Sequence, residues 1–289
     1  MSPSADRTIL VTGATGQQGG STARTLLRNG FTEIRAMTRN PASDQAEVLR
    51  DLGAEVVFGD FDDPDSLVAA LDGVWGAFSV QNTWEAGVEN EEKQGLRFAE
   101  LAREAGVEHF VYASVGSADR GTGIPHFENK FRIEERVREL GFPTHVVLRP
   151  VFFMENLAGP GFKPGILEGK LRIALREDTQ LQMIAVQDIG TFGHLAFRKS
   201  EELSGEAIDI AGDQLTMPEA AQMLTQAVGH DVIFEQQPIE EVRESSDDFA
   251  QMLEWFDAVG YDVDVSELER RFGLRLKRFH EWAMKPDWS

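Results

Sequence analysis

Short apolar runs ending at glycine alternate with amphipathic stretches as far as Pro150. Thr8–Thr12 is the first such run and reads as a buried parallel strand. The spacing then predicts a helix over Ser21–Asn29 closed by Gly30, a strand over Glu33–Met37, a helix over Glu47–Leu52 before Gly53, and a strand over Glu55–Gly59. The alternation continues with a helix over Asp65–Leu71, a strand over Gly76–Val80, a long helix over Gly87–Ala105 stopped by Gly106, and a strand over His109–Ala113. A helix from about His126 to Leu140 leads through Gly141 and Pro143 to a sixth strand, Thr144–Arg149. Strands and helices alternating at this spacing specify a parallel sheet covered on both faces, and right-handed crossovers make it doubly wound.

The rhythm breaks after Pro150, where Gly159, Pro160, Gly161, Pro164 and Gly165 crowd together. Beyond them the pattern predicts a strand over Met183–Val186, a helix over Asp188–Phe197, a strand over Glu206–Ile210, and helices over Asp247–Val259 and Val265–Phe272. Thr216-Met217-Pro218-Glu219 has capping-box spacing and opens a helix running to Val228. The expected fold class is α/β: a Rossmann-type doubly wound sheet over residues 1–155, with 183–212 returning to it, and a smaller α/β lid over 156–289.

Gly13-Ala14-Thr15-Gly16-Gln17-Gln18-Gly19 lies between the first strand and the first helix. In that context Gly13 can make the tight turn, Gly16 admits a pyrophosphate, and Gly19 lets the helix pack close to the sheet. The end of the second strand selects the nucleotide. NAD sites usually carry a carboxylate there for the ribose hydroxyls, whereas this chain reads Met37-Thr38-Arg39-Asn40. Arg39 suits a 2′-phosphate, which makes NADP(H) the cofactor expected, or else it is a solvated surface residue. Asp60 and Phe61, after the third strand, are placed to border the adenine; Asp60 is equally suited to satisfying loop amides.

Composition narrows the function classes. A net charge of −21 argues against nucleic acid as a direct partner and disfavours anionic membranes. The 28 basic residues comprise 21 Arg and 7 Lys, a balance expected of a chain adapted to high salt or of an ordinary acidic bacterial protein. With no cysteine there is no disulfide, thiolate nucleophile or sulfur-ligated metal. No apolar run approaches the ~18–20 residues of a membrane-spanning helix. Met1–Arg7 lacks the apolar stretch of a signal peptide, so a soluble cytoplasmic protein is expected.

The chain resembles the NmrA-like family of atypical short-chain dehydrogenases, which includes the HSCARG-type NADPH sensors. The resemblance rests on Val11-Thr12-Gly13-Ala14-Thr15-Gly16-Gln17-Gln18-Gly19-Gly20, Thr38-Arg39-Asn40-Pro41 and Gly59-Asp60-Phe61-Asp62-Asp63. Gln81-Asn82-Thr83-Trp84-Glu85, His126-Phe127-Glu128-Asn129-Lys130, Arg149-Pro150 and Phe153-Met154-Glu155-Asn156-Leu157 extend it over nearly the whole length. It implies NADP(H) held by Gly13, Thr15, Gly16, Gln17, Gln18, Gly19, Arg39, Asp60, Phe61 and Gln81. Lys130 would reach the nicotinamide ribose, and Pro150, Phe153 and Asn156 would line the nicotinamide side.

Short-chain dehydrogenases donate a proton from a Tyr four residues before a Lys, helped by a Ser after the fifth strand. Here Lys130 and Ser114 hold their places, but His126 stands where the Tyr belongs. His126 and Lys130 are one helical turn apart and share a face, and an imidazole can donate a proton near neutrality. His126 therefore acts as general acid, or caps the helix and packs beside the cofactor without chemistry. The other five histidines show no metal-ligand spacing. Glu89, Glu91 and Glu92 read as a solvated helix face, and Glu240-Glu241 and Asp247-Asp248 as helix starts. Trp75, Trp84 and Phe152-Phe153 are candidates to wall an aromatic substrate pocket, or else belong to the core. Two readings follow: a reductase passing hydride from NADPH to a small electrophile such as a quinone, or a non-catalytic NADPH sensor acting through a protein partner.

Overall fold

The computed structural model describes residues 7–285 and 288; the segment Met1–Asp6, read above for a signal peptide, lies outside them. The chain forms two compact units. The first runs to Gly121 and takes in His126–Arg149 and Ile189–Ile208; the second comprises Thr122–Pro125, Pro150–Asp188 and the chain from Asp209 onward. Of the 183–212 stretch expected to return to the sheet, it is 189–208 that joins the first unit.

The first unit is built on β1 (Ile9–Val11), α1 (Gln17–Arg28), β2 (Ile34–Thr38), α2 (Asp44–Asp51), β3 (Glu55–Phe58), α3 (Pro64–Leu71), β4 (Gly76–Ser79), α4 (Thr83–Ala86) and α5 (Val88–Glu104). It continues with β5 (His109–Ala113), α6 (Pro125–Glu139) and β6 (Thr144–Pro150). The strands stand in the order β3-β2-β1-β4-β5-β6, each parallel to its neighbours, and β10 (Ala207–Ile210) flanks β6. Ile9 pairs with Ile34 on one side and Gly76 on the other, so the chain order reverses at β1. Ligands in doubly wound sheets sit outside the carboxyl ends of strands at such a switch point. One face of the sheet buries Leu10, Phe110, Tyr112 and Val147 with Leu67 and Leu71 of α3, Phe98 and Ala102 of α5, and Ile133 and Val137 of α6. On the other face α1 packs against the helix Val186–Arg198 so closely that a Cβ on Gly190 would stand 2.4 Å from Ser21 Oγ.

Apart from α4, a single turn that was not expected, the elements of the first unit lie within a few residues of their expected bounds, and the largest shift is instructive. Helix α1 begins at Gln17, four residues before the expected Ser21. Glycines weaken a helix pattern, which hides the first turn from a propensity argument. Gly19 is helical because it backs onto the preceding loop: a Cβ there would lie 2.2 Å from the Thr12 carbonyl oxygen and 2.4 Å from that of Gly13.

In the second unit β7 (Phe152–Phe153), β9 (Leu181–Ile184) and β11 (Asp213–Leu215) form one small sheet. β8 (Lys170–Ile173) and β12 (Ile233–Gln236) pair in parallel as another. Of these five only β9 was expected, two residues downstream of where it lies, because strands of two to four residues are too short to show a period. The capping box is present: the Thr216 side chain accepts from the Glu219 amide and the Glu219 carboxylate from the Thr216 amide, opening the helix Met217–Val228. The acidic pairs do lie in first turns, of helices Ile239–Ser245 and Asp247–Ala258. Among the described residues no helix is long and apolar enough to cross a membrane.

Candidate functional site

The loops that follow β1, β2, β4 and β5 carry most of the candidate residues to one edge of the sheet. At the switch point the ends of β1 and β4 are clasped together: Val80 N donates to Thr12 Oγ1 at 2.9 Å, and Thr12 Oγ1 donates to the Val80 carbonyl. Gly13 adopts φ +55°, and a Cβ on it would meet Val80 Cγ1 at 2.9 Å, so the turn demands glycine on two counts. Gly16 is the N-cap of α1 and supplies no side-chain cap, and the first turn holds no carboxylate. The leading N–H groups of a helix have no intrahelical acceptors, and the helix end is electropositive. These donors, with Gln17 exposed beside them, suit a diphosphate.

Thr15 Oγ1 lies 3.2 Å from Thr38 Oγ1, tying the glycine loop to the end of β2. Arg39 follows at once, its side chain 65% exposed, with Nη2 donating to Glu85 Oε2 at 2.5 Å. Asp60 uses Oδ1 to accept from the Asp62 amide, the loop-bracing role weighed for it from sequence. Phe61 turns its ring edge-on to Phe98, 5.6 Å between centroids, while its carbonyl accepts from Arg97. Gln81 is buried after β4; its Nε2 donates to Ser79 Oγ, and its Oε1 has no partner.

Helices α5 and α6 bring the remaining groups together. A Cβ on Gly95 would lie 2.5 Å from Ile133 Cδ1, so the Ile133 side chain of α6 packs directly on the α5 backbone. One turn earlier on each, Glu91 and Lys130 meet at 2.6 Å, Oε1 to Nζ. Glu91 is fully buried and also accepts from Asn129 Nδ2 at 2.9 Å and from Thr83 Oγ1. The expectation that Glu91 belongs to a solvated face is therefore wrong. Burial alone would raise its pKa, but the Lys130 ammonium and the hydrogen bonds from Lys130, Thr83 and Asn129 hold it below the ordinary value. The missed signal is periodic: Glu91 continues the buried stripe of Gln94, Gly95, Phe98, Ala99 and Ala102. Glu89 and Glu92 lie off that stripe.

His126 is 6% exposed, its ring 5.3 Å from that of Trp84 and 4.8 Å from that of Phe127. Ser114, after β5, donates to Glu134 Oε1 at 2.6 Å. Glu134, fully buried, also takes Arg149 through both oxygens at 2.9 and 2.7 Å and Arg138 at 2.9 Å. Sequence reasoning missed this network: Arg138 stands one turn from Glu134 on α6, but Ser114 and Arg149 reach it from the end of β5 and from β6. His126, Lys130 and Glu134 are spaced by one helical turn and so share one face of α6.

Pro150, Phe153 and Asn156 belong to the second unit. Phe153 is half-buried in β7, and Asn156 lies in the following 3-10 turn. There Glu155 Oε2 accepts from the Val186 amide, and burial raises its pKa above the ordinary value. Phe152 meets Phe256 edge to face in the same unit. Trp75 is no pocket wall: it precedes β4, at the amino end of the strands, stacked on His109 at 5.6 Å with Phe197 beside it. Trp84, by contrast, is 59% exposed at the opposite edge.

Comparison with known proteins agrees with this architecture. A triphenylmethane reductase from Citrobacter sp., complexed with NADP(H), superposes with a TM-score of 0.79 at 22% identity, covering 96% of this chain and 99% of that one. An NADPH-dependent quinone oxidoreductase of Escherichia coli, complexed with NADPH, gives 0.79 at 24% identity over 96% and 98%. At these identities the likeness is one of fold. An NmrA-like family domain-containing oxidoreductase of Aspergillus versicolor, notA′, is 33% identical over 238 residues, 74% of this chain and 67% of the relative. The chain spans about half the length of other curated oxidoreductase relatives that it matches. The profile of the NmrA-like family itself matches residues 5–286, and the chain belongs to that family.

Proposed function

We propose that this chain binds NADP(H) at the carboxyl edge of the first unit's sheet and reduces a small electrophile, a quinone being the first candidate. The observation that carries the reading is the amino end of α1. It is uncapped and free of carboxylates at the β1/β4 switch point, with the Arg39 guanidinium exposed at the end of β2. The leading amides of α1 and the glycine loop receive the diphosphate, and Arg39 forms charge-assisted bonds to the 2′-phosphate. The bound nicotinamide supplies the hydride.

Lys130 presents its ammonium to the ribose hydroxyls, its position set by Glu91. His126, sharing that face of α6, is the group placed to deliver a proton to the reduced acceptor. Ser114 already donates its hydroxyl hydrogen to Glu134, so it orients groups through its lone pairs and is not the proton source. A quinone makes small demands on a dedicated acid, because its oxyanion is stabilised by resonance and takes protons from solvent. That suits a chain whose only two tyrosines, Tyr112 and Tyr261, both stand outside the position four before Lys130.

The test pairs calorimetric titration with NADP+ and NADPH against NADPH oxidation over a panel of quinones and simple carbonyls, with Lys130→Ala alongside. Binding with turnover that falls at least tenfold in the variant is the expected result. Tight binding with no turnover on any acceptor would refute the reductase and favour a sensor, which needs two conformations of unequal affinity.

A further inference from the structure

NAD sites place a carboxylate at the end of the second strand, and NADP sites a cation. From sequence this chain has only the cation, Arg39. In the folded chain it has both, because α4 carries Glu85 across from the loop after β4. Glu85 Oε2 accepts from Arg39 Nη2 at 2.5 Å, 46 residues away in sequence. The carboxylate is held there by its own turn: Asn82 Nδ2 donates to Glu85 Oε1 at 3.1 Å, and Asn82 Oδ1 in turn accepts from the Trp84 amide. Both partners are open to solvent, at 65% and 56% exposure, so the pair sits where a ligand can reach it.

We propose that Glu85 is a specificity-determining residue that narrows the preference for NADP(H) over NAD(H). The proposal rests on the binding reading above. A 2′-phosphate reaching Arg39 must displace the Glu85 carboxylate or accept its negative charge close by. A ribose 2′-hydroxyl meets no such opposition, since a carboxylate is the acceptor such a hydroxyl uses. Glu85 thus opposes one dinucleotide and tolerates the other, and it does so from the turn after β4 rather than from the end of β2.

The experiment is calorimetric titration of the wild-type chain, Glu85→Gln, Glu85→Ala and Arg39→Ala with NADP+ and NAD+, the oxidised forms keeping turnover out of the readout. Exposed ion pairs are weak and screened by salt, so both Glu85 variants should bind NADP+ about 2- to 5-fold tighter at low ionic strength. The gain should shrink towards 1 M salt, and NAD+ should bind no tighter than to wild type. Arg39→Ala should lose NADP+ affinity and keep that for NAD+. Unchanged or weaker NADP+ binding in the Glu85 variants, with Arg39→Ala behaving as expected, would overturn this inference and leave the binding reading standing. A wild-type chain that binds neither dinucleotide would overturn both.

Discussion

Replacing Glu91 with Gln tests whether the α5–α6 contact is held by a buried charge. The carboxylate has no solvent exposure and takes three donors, among them Lys130 Nζ at 2.6 Å and Asn129 Nδ2 at 2.9 Å. Gln preserves the shape and one carbonyl acceptor but removes the charge that neutralises Lys130, whose side chain is 10% exposed. Removing one member of a buried ion pair costs about 3–5 kcal/mol, because the surviving charge stays desolvated. The small opening at Lys130 favours the lower figure, about 3 kcal/mol, and hence a fall in Tm of roughly 6–12 °C. Urea titration and thermal melting measure this directly. The double variant Glu91→Gln/Lys130→Met should recover much of the loss, since no unpaired ammonium remains. The acid side adds a second check. Glu91 has a lowered pKa in the fold, so its contribution is complete above the ordinary value of 4.5 and is lost as pH falls through the folded pKa. The gap between wild type and Glu91→Gln should therefore close in acid. A single variant within about 0.5 kcal/mol of wild type at neutral pH would refute the reasoning, that being the scatter of an ordinary surface substitution.

Three further outcomes follow. Tyr112 is fully buried with its hydroxyl unpartnered, so Tyr112→Phe should be neutral or stabilising by about 1 kcal/mol in urea titration; a loss of that size would mean the hydroxyl is used. His109, buried between Trp75 and Phe197, has its pKa lowered to about 3, chiefly by burial. The unfolded chain takes up that proton from about pH 6.5 downward, so stability should decline between pH 6.5 and 3 at up to about 1.4 kcal/mol per unit, a slope that His109→Gln removes. With a net charge of −21, the protein should melt at higher temperature as NaCl rises from 0.05 to 2 M, and a flat profile would refute adaptation to high salt.

The sequence alone determined the alternating first unit, because buried parallel strands and amphipathic helices write their periods locally. β5 appears over His109–Ala113, as the pattern predicts. The glycine loop was equally legible, since positive φ at Gly13 and the close approach at Gly19 leave no other residue type suitable. Lys130 was legible as a candidate through its spacing from His126. Only the tertiary structure decided what these groups touch. Glu91 reads as one of three solvated acids until α5 packs on α6 and a lone carboxylate on the buried stripe finds an ammonium. Glu134 joins Ser114, Arg138 and Arg149 across three elements, and Glu85 reaches Arg39 from 46 positions away. Trp75 and Trp84 lie nine residues apart in sequence, yet β4 sends them to opposite ends of the sheet. Periodicity records which side of an element faces the core. The pairing of charges depends on which elements become neighbours, and that is settled by packing between segments far apart in the chain.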